Sequence, residues 1–282
     1  MDDSSIYADW IAKNINYIIS YTSIHFRPLF LFIRFPIQAF FDGAEYVLTS
    51  VYPWAFILIL MVFCVVFASK KTAFGSGLAF SAIYFLGMWT NAMVTFALVL
   101  TAIVFCVMVG VPLGIVSARN DRFWGVLRPI LDVMQTTPTF VYLVPVVMFF
   151  GIGTLPGAVA VVISALPPVI RFTNLGIRQV PGETIEAGLA FGATKRQLLL
   201  EVQLPLAAPT ILAGLNQTVM MAMVMAVVAS MIGAEGLGLV VLQALGILDV
   251  GRAALGGVGI ILMAITLDRI THEIAAKRAA RS

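Results

Sequence analysis

Side chains able to catalyse a reaction are scarce in this sequence. Its two histidines, His25 and His272, lie outside the long apolar runs, and its two cysteines, Cys64 and Cys106, lie inside such runs. No HExxH, GxSxG or GxxxxGK[ST] sequence occurs, so the metal-bound water, activated serine and phosphate loop of these motifs have no counterpart here. The cysteines show neither a disulfide framework nor metal-ligand spacing. We therefore predict that the chain is not an enzyme.

One charged segment is the best candidate for contact with another molecule. Residues 183–205, "ETIEAGLAFGATKRQLLLEVQLP", carry five ionic side chains in a chain that is otherwise almost entirely apolar. Pro181 before the segment and Gly192 within it predict the start and the end of a short helix. Thr194, with a glutamine three residues later, has the capping-box pattern, so a second helix should follow and stop at Pro205 at the membrane surface. The segment is either a solvated connector or a compact knob whose exposed Leu and Phe need a cover.

The composition places most of the chain in lipid. Of its 282 residues, 61% are hydrophobic and only 11% are charged, and its mean hydropathy is +1.01. A soluble domain has about 25% charged residues, which is what a surface in contact with water requires. The formal net charge of +3 is better explained by the position of the cations than by nucleic-acid binding.

The apolar windows predict an all-α, polytopic membrane protein with about seven spanning helices, because one span needs about 20 apolar residues. Residues 51–69 supply one span, 72–118 two, 133–170 two, 206–234 one and 253–267 the last. The paired windows are expected to break at "GMWTN" and at "GIGTLPG". Residues 24–49 contain four charges among many phenylalanines, which favours an amphipathic helix lying in the interface; an eighth span is the alternative.

Lysine and arginine decide the predicted orientation, since cytoplasmic loops carry an excess of both. With these spans, 13 of the 17 cations fall on one side and only Lys13, Arg27, Arg34 and Arg252 on the other. The first side is predicted to be cytoplasmic, so the N-terminus lies outside and the C-terminus inside. The cations on the cytoplasmic side are Lys70, Lys71, Arg119, Arg122, Arg128, Arg171, Arg178, Lys195, Arg196, Arg269, Lys277, Arg278 and Arg281.

The charged segment resembles the signature loop of importer permeases of the ATP-binding-cassette (ABC) superfamily. That signature is Glu-Ala-Ala, three residues, Gly, nine residues, Ile, one residue, Leu-Pro. The matching positions here are Glu186, Ala187, Gly192, Leu204 and Pro205, while Gly188 replaces the third alanine and Val202 the isoleucine. "TFALVLTA", "GVPLGI", "RPILDVMQTTPTFVYLVPVVMFFGIG", "ALPPVIRFTNLGIRQVP" and "LDVGRAALGGVGI" extend the likeness, over about residues 50–270, to the membrane subunit of glycine betaine/proline and choline importers.

The resemblance implies a type I ABC-importer permease fold. It also implies that separate subunits hydrolyse ATP, bind the substrate and form the membrane path. We expect an N-terminal tail and amphipathic helix at 1–50, two spanning helices at 51–90 and a core permease domain at 91–282, with a cytoplasmic coupling loop at 173–205. Expected partners are a second copy of this chain, two cytoplasmic ATPase subunits that hold ATP and Mg²⁺, an extracytoplasmic substrate-binding protein and the bilayer of a bacterial cytoplasmic membrane. The chain itself would carry no cofactor, and nucleic acid is not expected.

The expected substrates are compact quaternary ammonium compounds such as choline, glycine betaine and proline betaine. Such a group donates no hydrogen bonds and is held best by aromatic faces. Polar and aromatic residues in the middle of the spans are therefore candidates to line the path, although each could instead serve helix packing. These residues are Gln135, Phe140, Tyr142, Asn216, Gln217 and Thr218.

Glu235 is a candidate outer gate, because it follows the sixth span at the start of an external loop, residues 233–252. That loop is too apolar to be free in solvent, so we expect a re-entrant or surface helix within it. The alternative function is an ion-coupled secondary transporter of small polar solutes, which needs ionisable or broken-helix sites near the midplane. Asp132, Asp249 and Asp268 all lie at the ends of the predicted spans, which disfavours this alternative.

Overall fold

The computed structural model describes residues 27–279 and, before them, only residues 7, 10, 13, 14, 17, 21, 22 and 25. All regular secondary structure in this part of the chain is helical, which confirms the predicted all-α class. The helices are α1 Arg27–Ser50, α2 Pro53–Phe67, α3 Lys70–Phe85, α4 Trp89–Arg119, α5 Asp121–Thr136, α6 Leu143–Phe150, α7 Thr154–Arg178, α8 Gly182–Ala190, α9 Lys195–Ile232, α10 Leu237–Gly246 and α11 Val250–Ala279. Most of the predicted N-terminal tail, and Arg281 of the cytoplasmic charge count, lie outside the described residues.

Four of the described helices are long and apolar enough to cross a membrane on their own: α4, α7, α9 and most of α11. The count rises to six if each of two bent helix pairs forms one span. The predicted windows 51–69 and 72–86 correspond to α2 and α3, which are helices of 15 and 16 residues and together form a hairpin. All seven predicted windows are therefore helical, but three of them are shorter or more broken than a simple span.

The predicted window 133–150 is divided by a sharp bend. Helix α5 and the helical segment Thr139–Phe150 meet at 111°, and Thr137 between them has extended backbone. Pro138 causes this break, because a residue that precedes proline is disfavoured in the α conformation. The helix before the bend also begins earlier than expected, at Asp121, where the Asn120 side chain accepts a hydrogen bond from the N–H of Phe123.

The amphipathic segment forms α1, which turns by 109° into α2. Ile37 and Phe41 lie one helical turn apart and are buried against the main core, whereas Phe32 and Phe35 are exposed. One face of α1 therefore packs on the bundle while the other faces outwards. The near-perpendicular turn is the geometry expected of a surface helix that leads into a spanning one, and the position of α1 relative to the bilayer stays a prediction.

Helix α7 is the centre of the bundle and packs closely against α4 and α9. A Cβ atom added at Gly114 of α4 would lie 2.5 Å from Cβ of Thr173 and 2.9 Å from the carbonyl oxygen of Ile170. On the other side of α7, a Cβ at Gly176 would lie 3.1 Å from the carbonyl oxygen of Ala207 in α9. Small residues let helix backbones approach each other in lipid, where packing drives helix association. Glycine at these positions is thus required by packing.

We predict that Gly114→Ala lowers the free energy of unfolding of the detergent-solubilised protein by about 1–3 kcal/mol, which is the usual cost of overpacking a filled interface. Its midpoint of thermal unfolding should fall accordingly. Gly257→Ala is the matched control, because its added Cβ meets nothing within 4 Å. That change should be neutral or slightly stabilising, since alanine favours a helix over glycine. The reaction of the buried thiols of Cys64 and Cys106 with a fluorescent reagent during heating reports unfolding. Equal midpoints for the two variants would contradict the packing assignment.

Candidate coupling loop and translocation path

The first helix of the charged segment, α8, begins and ends where the sequence predicts. Pro181 is its N-cap residue, and Gly192 follows its end with a φ of 80°. The N–H of Gly192 donates to the carbonyl of Leu189 at 2.9 Å, and the N–H of Ala193 donates to that of Gly188 at 3.0 Å. This bond pair is the Schellman motif, which needs a left-handed residue at the position of Gly192. The sequence rule for the end of a helix therefore holds here.

The second helix begins as predicted but continues further than expected. The Thr194 side chain accepts a bond from the N–H of Gln197, and the Gln197 side chain accepts one from the N–H of Thr194. This is the expected capping box. The prediction that Pro205 stops the helix is wrong, because α9 runs unbroken for 38 residues to Ile232.

A π-helical stretch explains how α9 accommodates this proline. Residues Leu198–Gln203 are π-helical, and the N–H of Leu204 donates to the carbonyl of Leu199, five residues back. Proline lacks an N–H and its ring crowds the carbonyl four residues before it, so an α-helical path would be disrupted at this point. The wider π turn just before Pro205 changes the hydrogen-bond register, and the α-helix restarts with the proline in its first turn.

Helix α8 packs on the start of α9 through one glycine. A Cβ at Gly188 would lie 2.9 Å from Cδ1 of Leu198, and Leu198 is buried between the two helices. Gly188, where the ABC-importer signature has alanine, thus permits a tighter corner. Glu186, Ala187 and Gly192 are exposed, as is Pro205, while Leu204 is half-buried.

The outer surface of this corner is strongly apolar. Phe191 is 92% exposed, and Leu189 and Leu200 are about half exposed. In the predicted orientation these side chains are on the cytoplasmic side, beyond the lipid, and no other described residue covers them. Large exposed apolar side chains surrounded by charged ones mark an interaction site. We call this surface, formed by Glu186, Ala187, Leu189, Phe191, Gly192 and Leu200, the coupling knob.

Polar contacts fix the end of α7, from which the loop departs. The guanidinium of Arg178 donates to the carboxylate of Asp121 at 2.7 Å and to the carbonyl of Ser117 at 3.0 Å. The Asn174 amide donates to the hydroxyl of Ser117 at 2.8 Å. A second ion pair, between Arg171 and Asp132, joins α7 to α5. Helices α4, α5 and α7 are therefore tied together at the end of α7, immediately before the predicted coupling loop.

The structure places the predicted path residues of α5 and α6 on both sides of the bend. Gln135 and Phe140 are exposed, and Phe140 keeps 58% of its surface accessible. The Tyr142 hydroxyl donates to the carbonyl of Met134, so it spans the break between the two helices. Its polar atom is thus used within the fold, whereas Gln135 and Phe140 stay candidates for contact with a solute.

The three consecutive candidates on α9 point in three directions. The amide of Asn216 donates to Asp268 at 3.3 Å and accepts a hydrogen bond from the hydroxyl of Thr271, so it joins α9 to α11. Thr218 is fully buried, and its hydroxyl has no partner among the described residues. Gln217 is exposed. The helical twist of 100° per residue separates these side chains, so of the three only Gln217 faces the outside of the bundle.

The segment at 233–236 folds back into the bundle near the predicted outer side. The N–H of Glu235 donates to the Thr154 hydroxyl at 3.2 Å, and the N–H of Leu237 donates to the Thr95 hydroxyl at 2.8 Å. Leu237 also lies beside Gly259, well inside α11, so α10 starts within the bundle and rises alongside that helix. This geometry fits the expected re-entrant segment. The side chain of Glu235 is exposed at its edge, and its gating role stays a prediction.

Sequence reasoning missed a small aromatic niche of about 180 Å³ between α1 and α6. The ring of Phe30 stacks on that of Phe149 with centroids 4.7 Å apart and meets Phe150 edge-on at 5.5 Å. Arg34 also lines the niche and has no ion-pair partner among the described residues. Aromatic faces attract a quaternary ammonium group and a guanidinium binds a carboxylate. The "FF" before "GIG" and Arg34 among the phenylalanines of α1 were the available signals in the sequence. The sequence did not reveal that these residues lie close together.

Residues 110–278 match the family described as "Binding-protein-dependent transport system inner membrane component". The chain belongs to this family. It is 49% identical over 270 residues to the glycine betaine/proline betaine transport system permease protein ProW of Escherichia coli (strain K12), covering 94% of this chain and 74% of that protein. It is 42% identical to the glycine betaine transport system permease protein OpuAB of Bacillus subtilis (strain 168), with 96% of each chain covered.

The fold also matches solved structures of an importer. A chain of the inward-facing MetNI methionine ABC transporter superposes with a TM-score of 0.63 at 20% identity, over 68% of this chain and 95% of that one. A second crystal form of that transporter gives a TM-score of 0.57. This likeness confirms the expected importer-permease fold. The fold and the family together decide against the alternative of an ion-coupled secondary transporter, and the chain is a transporter subunit of the membrane.

We predict that Gly192→Ala loosens the corner between α8 and α9. The left-handed backbone at Gly192, with its φ of 80°, costs a residue with a Cβ about 1–2 kcal/mol. Amide exchange in residues 182–203 should accelerate accordingly in hydrogen-exchange mass spectrometry of the protein in nanodiscs. Gly182→Ala is the matched control in the same loop, because Gly182 has ordinary helical backbone and open space around its Cβ. Exchange that rises equally in both variants would refute the assigned cap.

Proposed function

We propose that this chain is the membrane-spanning permease subunit of an ATP-driven ABC importer that moves quaternary ammonium compounds into a bacterial cell. The observation that carries the proposal is the coupling knob, an apolar corner with Phe191 at its tip and Glu186 beside it. It projects from the side of the bundle that holds the excess of lysine and arginine. A separate cytoplasmic ATPase subunit would cover it and hold ATP and Mg²⁺, while the chain itself carries out no hydrolysis.

Coupling requires that the knob be held differently in the two nucleotide states of the ATPase, since only differential binding shifts a conformational equilibrium. The knob is continuous with α9, which reaches the re-entrant segment at 233–236 without a break in its helix. Movement of the knob therefore reaches the predicted outer mouth through one helix. Glu235 at that mouth would meet the substrate as an extracytoplasmic binding protein releases it.

The substrate class follows from the relatives and from the aromatic niche. The relatives ProW and OpuAB are named for the transport of glycine betaine, and a further relative, GbuB of Listeria monocytogenes, is named for glycine betaine and carnitine. In the niche, the rings of Phe30, Phe149 and Phe150 suit a trimethylammonium group, and Arg34 suits the carboxylate of a betaine. We include choline, glycine betaine and proline betaine in the proposed class, and the two zwitterions satisfy both halves of the niche.

A second copy of the chain would complete the transporter. One face of α9 carries exposed residues at intervals of seven and four positions: Leu206, Ala213, Gln217, Val224 and Met231. Such spacing keeps the side chains on one side of a helix. Gln217 places a polar amide in the middle of this face, and Ala213 allows close approach. We propose that the translocation path runs along this face, between two copies related by a twofold axis.

We predict that Phe191→Ala weakens association with the ATPase at least about tenfold, because truncating a buried aromatic anchor at an interface costs about 2 kcal/mol or more. Phe32→Ala is the matched control, since Phe32 is 77% exposed on α1, far from the knob. The assay is co-purification and ATP-driven uptake of labelled glycine betaine and choline by proteoliposomes that contain the chain, its ATPase and its binding protein. Uptake driven by an ion gradient without the ATPase, or full uptake by the Phe191 variant, would overturn the proposal.

We predict that Gln217→Cys, in a protein whose Cys64 and Cys106 are replaced by alanine, forms a disulfide-linked dimer on mild oxidation in membranes. A disulfide requires Cα atoms within about 7 Å, which a twofold axis near Gln217 provides. Val66→Cys, 61% exposed on α2, is the control and should stay monomeric on denaturing gels. Cross-linking at Val66 with none at Gln217 would place the contact between copies elsewhere.

A further inference from the structure

A groove of about 540 Å³ runs between α3 and α11, and none of its lining residues belongs to the coupling knob. Its cytoplasmic end is lined by Lys71, Thr72, Arg269 and Glu273. Further into the predicted membrane its walls are apolar. These deeper residues are Gly75, Ser76, Leu78, Ala79 and Ala82 of α3 and Leu262, Ile265 and Thr266 of α11.

The groove exists because α3 presents several small side chains towards α11, among them Gly75, Ser76, Ala79 and Ala82. Gly75 illustrates this, since a Cβ added there would meet nothing within 4 Å. The next glycine, Gly77, faces the opposite direction, where the side chain of Met61 from α2 fills the space. Ala73 and Ile270 pack together and form part of the floor where α3 and α11 do meet. One side of α3 is thus filled by protein and the other is left open.

The rim of the groove has the character of a lipid-facing surface. Leu78 is 65% exposed and Ile265 is 54% exposed, and Phe74 and Ile261 beside them are equally open. In a bilayer, a groove bounded by such side chains fills with acyl chains, because no water is present there to occupy it. An acyl chain is therefore the occupant that the apolar part of the groove favours.

The charges at the cytoplasmic mouth select a head group. Lys71 and Arg269 are exposed, and neither has an ion-pair partner among residues 27–279. Both can therefore bind a phosphate. Glu273 contributes a carboxylate oxygen, Oε2, that is buried and has no hydrogen-bond partner in the described part of the chain. Glu273 is not isolated, because the Thr72 and Ser69 side chains lie within reach of its carboxylate and Arg269 and Lys277 attract it. The mouth thus combines two exposed cations with one carboxylate whose Oε2 can still accept a hydrogen bond.

We propose that this groove is a binding site for an anionic glycerophospholipid of the cytoplasmic leaflet, of the phosphatidylglycerol type. The phosphate lies between Lys71 and Arg269, a hydroxyl of the glycerol head group donates to Glu273, and one acyl chain follows the wall from Gly75 to Ala82. Basic pockets between spanning helices on the cytoplasmic side are suited to lipid phosphates. The negative charge of the head group also balances the net positive charge of Lys71, Arg269 and Glu273 taken together. This site depends only on the predicted orientation and is independent of the transported substrate.

Native mass spectrometry of the full-length chain tests the proposal. The protein is extracted in mild detergent from nanodiscs that contain equal amounts of dioleoyl phosphatidylglycerol and dioleoyl phosphatidylcholine, and the retained lipids are counted. The original chain should retain phosphatidylglycerol at least threefold over phosphatidylcholine, whose head group has no hydroxyl to donate. The double variant Lys71→Gln, Arg269→Gln should lose this preference.

Two further variants test whether lipid retention depends on the groove itself rather than on the overall charge of the protein or on its folding. Arg119→Gln with Arg122→Gln removes the same charge from exposed cytoplasmic positions outside the groove and should retain lipid as the original chain does. Gly75→Leu fills the groove without any change of charge and should lower lipid retention at an unchanged thermal midpoint. Equal retention of the two lipids by the original chain would overturn the proposal. So would undiminished retention of phosphatidylglycerol in both groove variants.

Discussion

The close approach of α7 to its two neighbours is the constraint on which the rest of the structure depends. Glycines on α4 and α7 remove the side chains that would separate these helices, so backbones and small side chains touch directly. At the cytoplasmic end, Arg178 and Asn174 of α7 both bond to Ser117 of α4. Because lipid offers no hydrophobic force between helices, such packing and these polar bonds hold the bundle together.

This close packing determines which helices would move when a force acts on the predicted coupling loop. The loop leaves α7 at Arg178 and enters α9 at Lys195, and these two helices pack on each other through Gly176 and Gly214. A force applied to the coupling knob therefore acts on a packed helix pair. The pair extends to the other end of the bundle, where Thr154 of α7 and the residues after α9 are joined by hydrogen bonds. The coupling knob and the segment at 233–236 are thus connected through one packed helix pair.

The irregular places in the helices lie within this helix pair and beside it. The π-helical turn before Pro205 and the 111° bend after α5 interrupt regular hydrogen bonding. At 233–234 the N–H groups of Gly233 and Ala234 donate to the carbonyls of Ser230 and Ala229, which departs from the regular α-helical pattern. Irregular backbone at membrane depth is tolerated where protein buries it or where it borders a cavity. These are also the places at which two conformations can differ at low cost. The proposed lipid groove lies outside them, whereas the coupling knob includes Leu200 of the π-helical turn.

The sequence by itself determined the features that depend on local rules. Composition placed the chain in lipid, and the Gly192 and Thr194 caps fixed where the first helix of the charged segment ends and the second begins. The coupling role of the signature around Glu186 stays a prediction. Only the tertiary structure decided the rest. Asn216 bonds to α11 and Thr218 is buried because of the helices packed beside α9, which no local pattern records. Pro205 continues a helix because a π turn precedes it, and the groove beside Gly75 exists because small side chains of α3 face α11. The contacts of Asn216, the burial of Thr218 and the groove depend on residues far apart in the sequence, so local patterns do not reveal them.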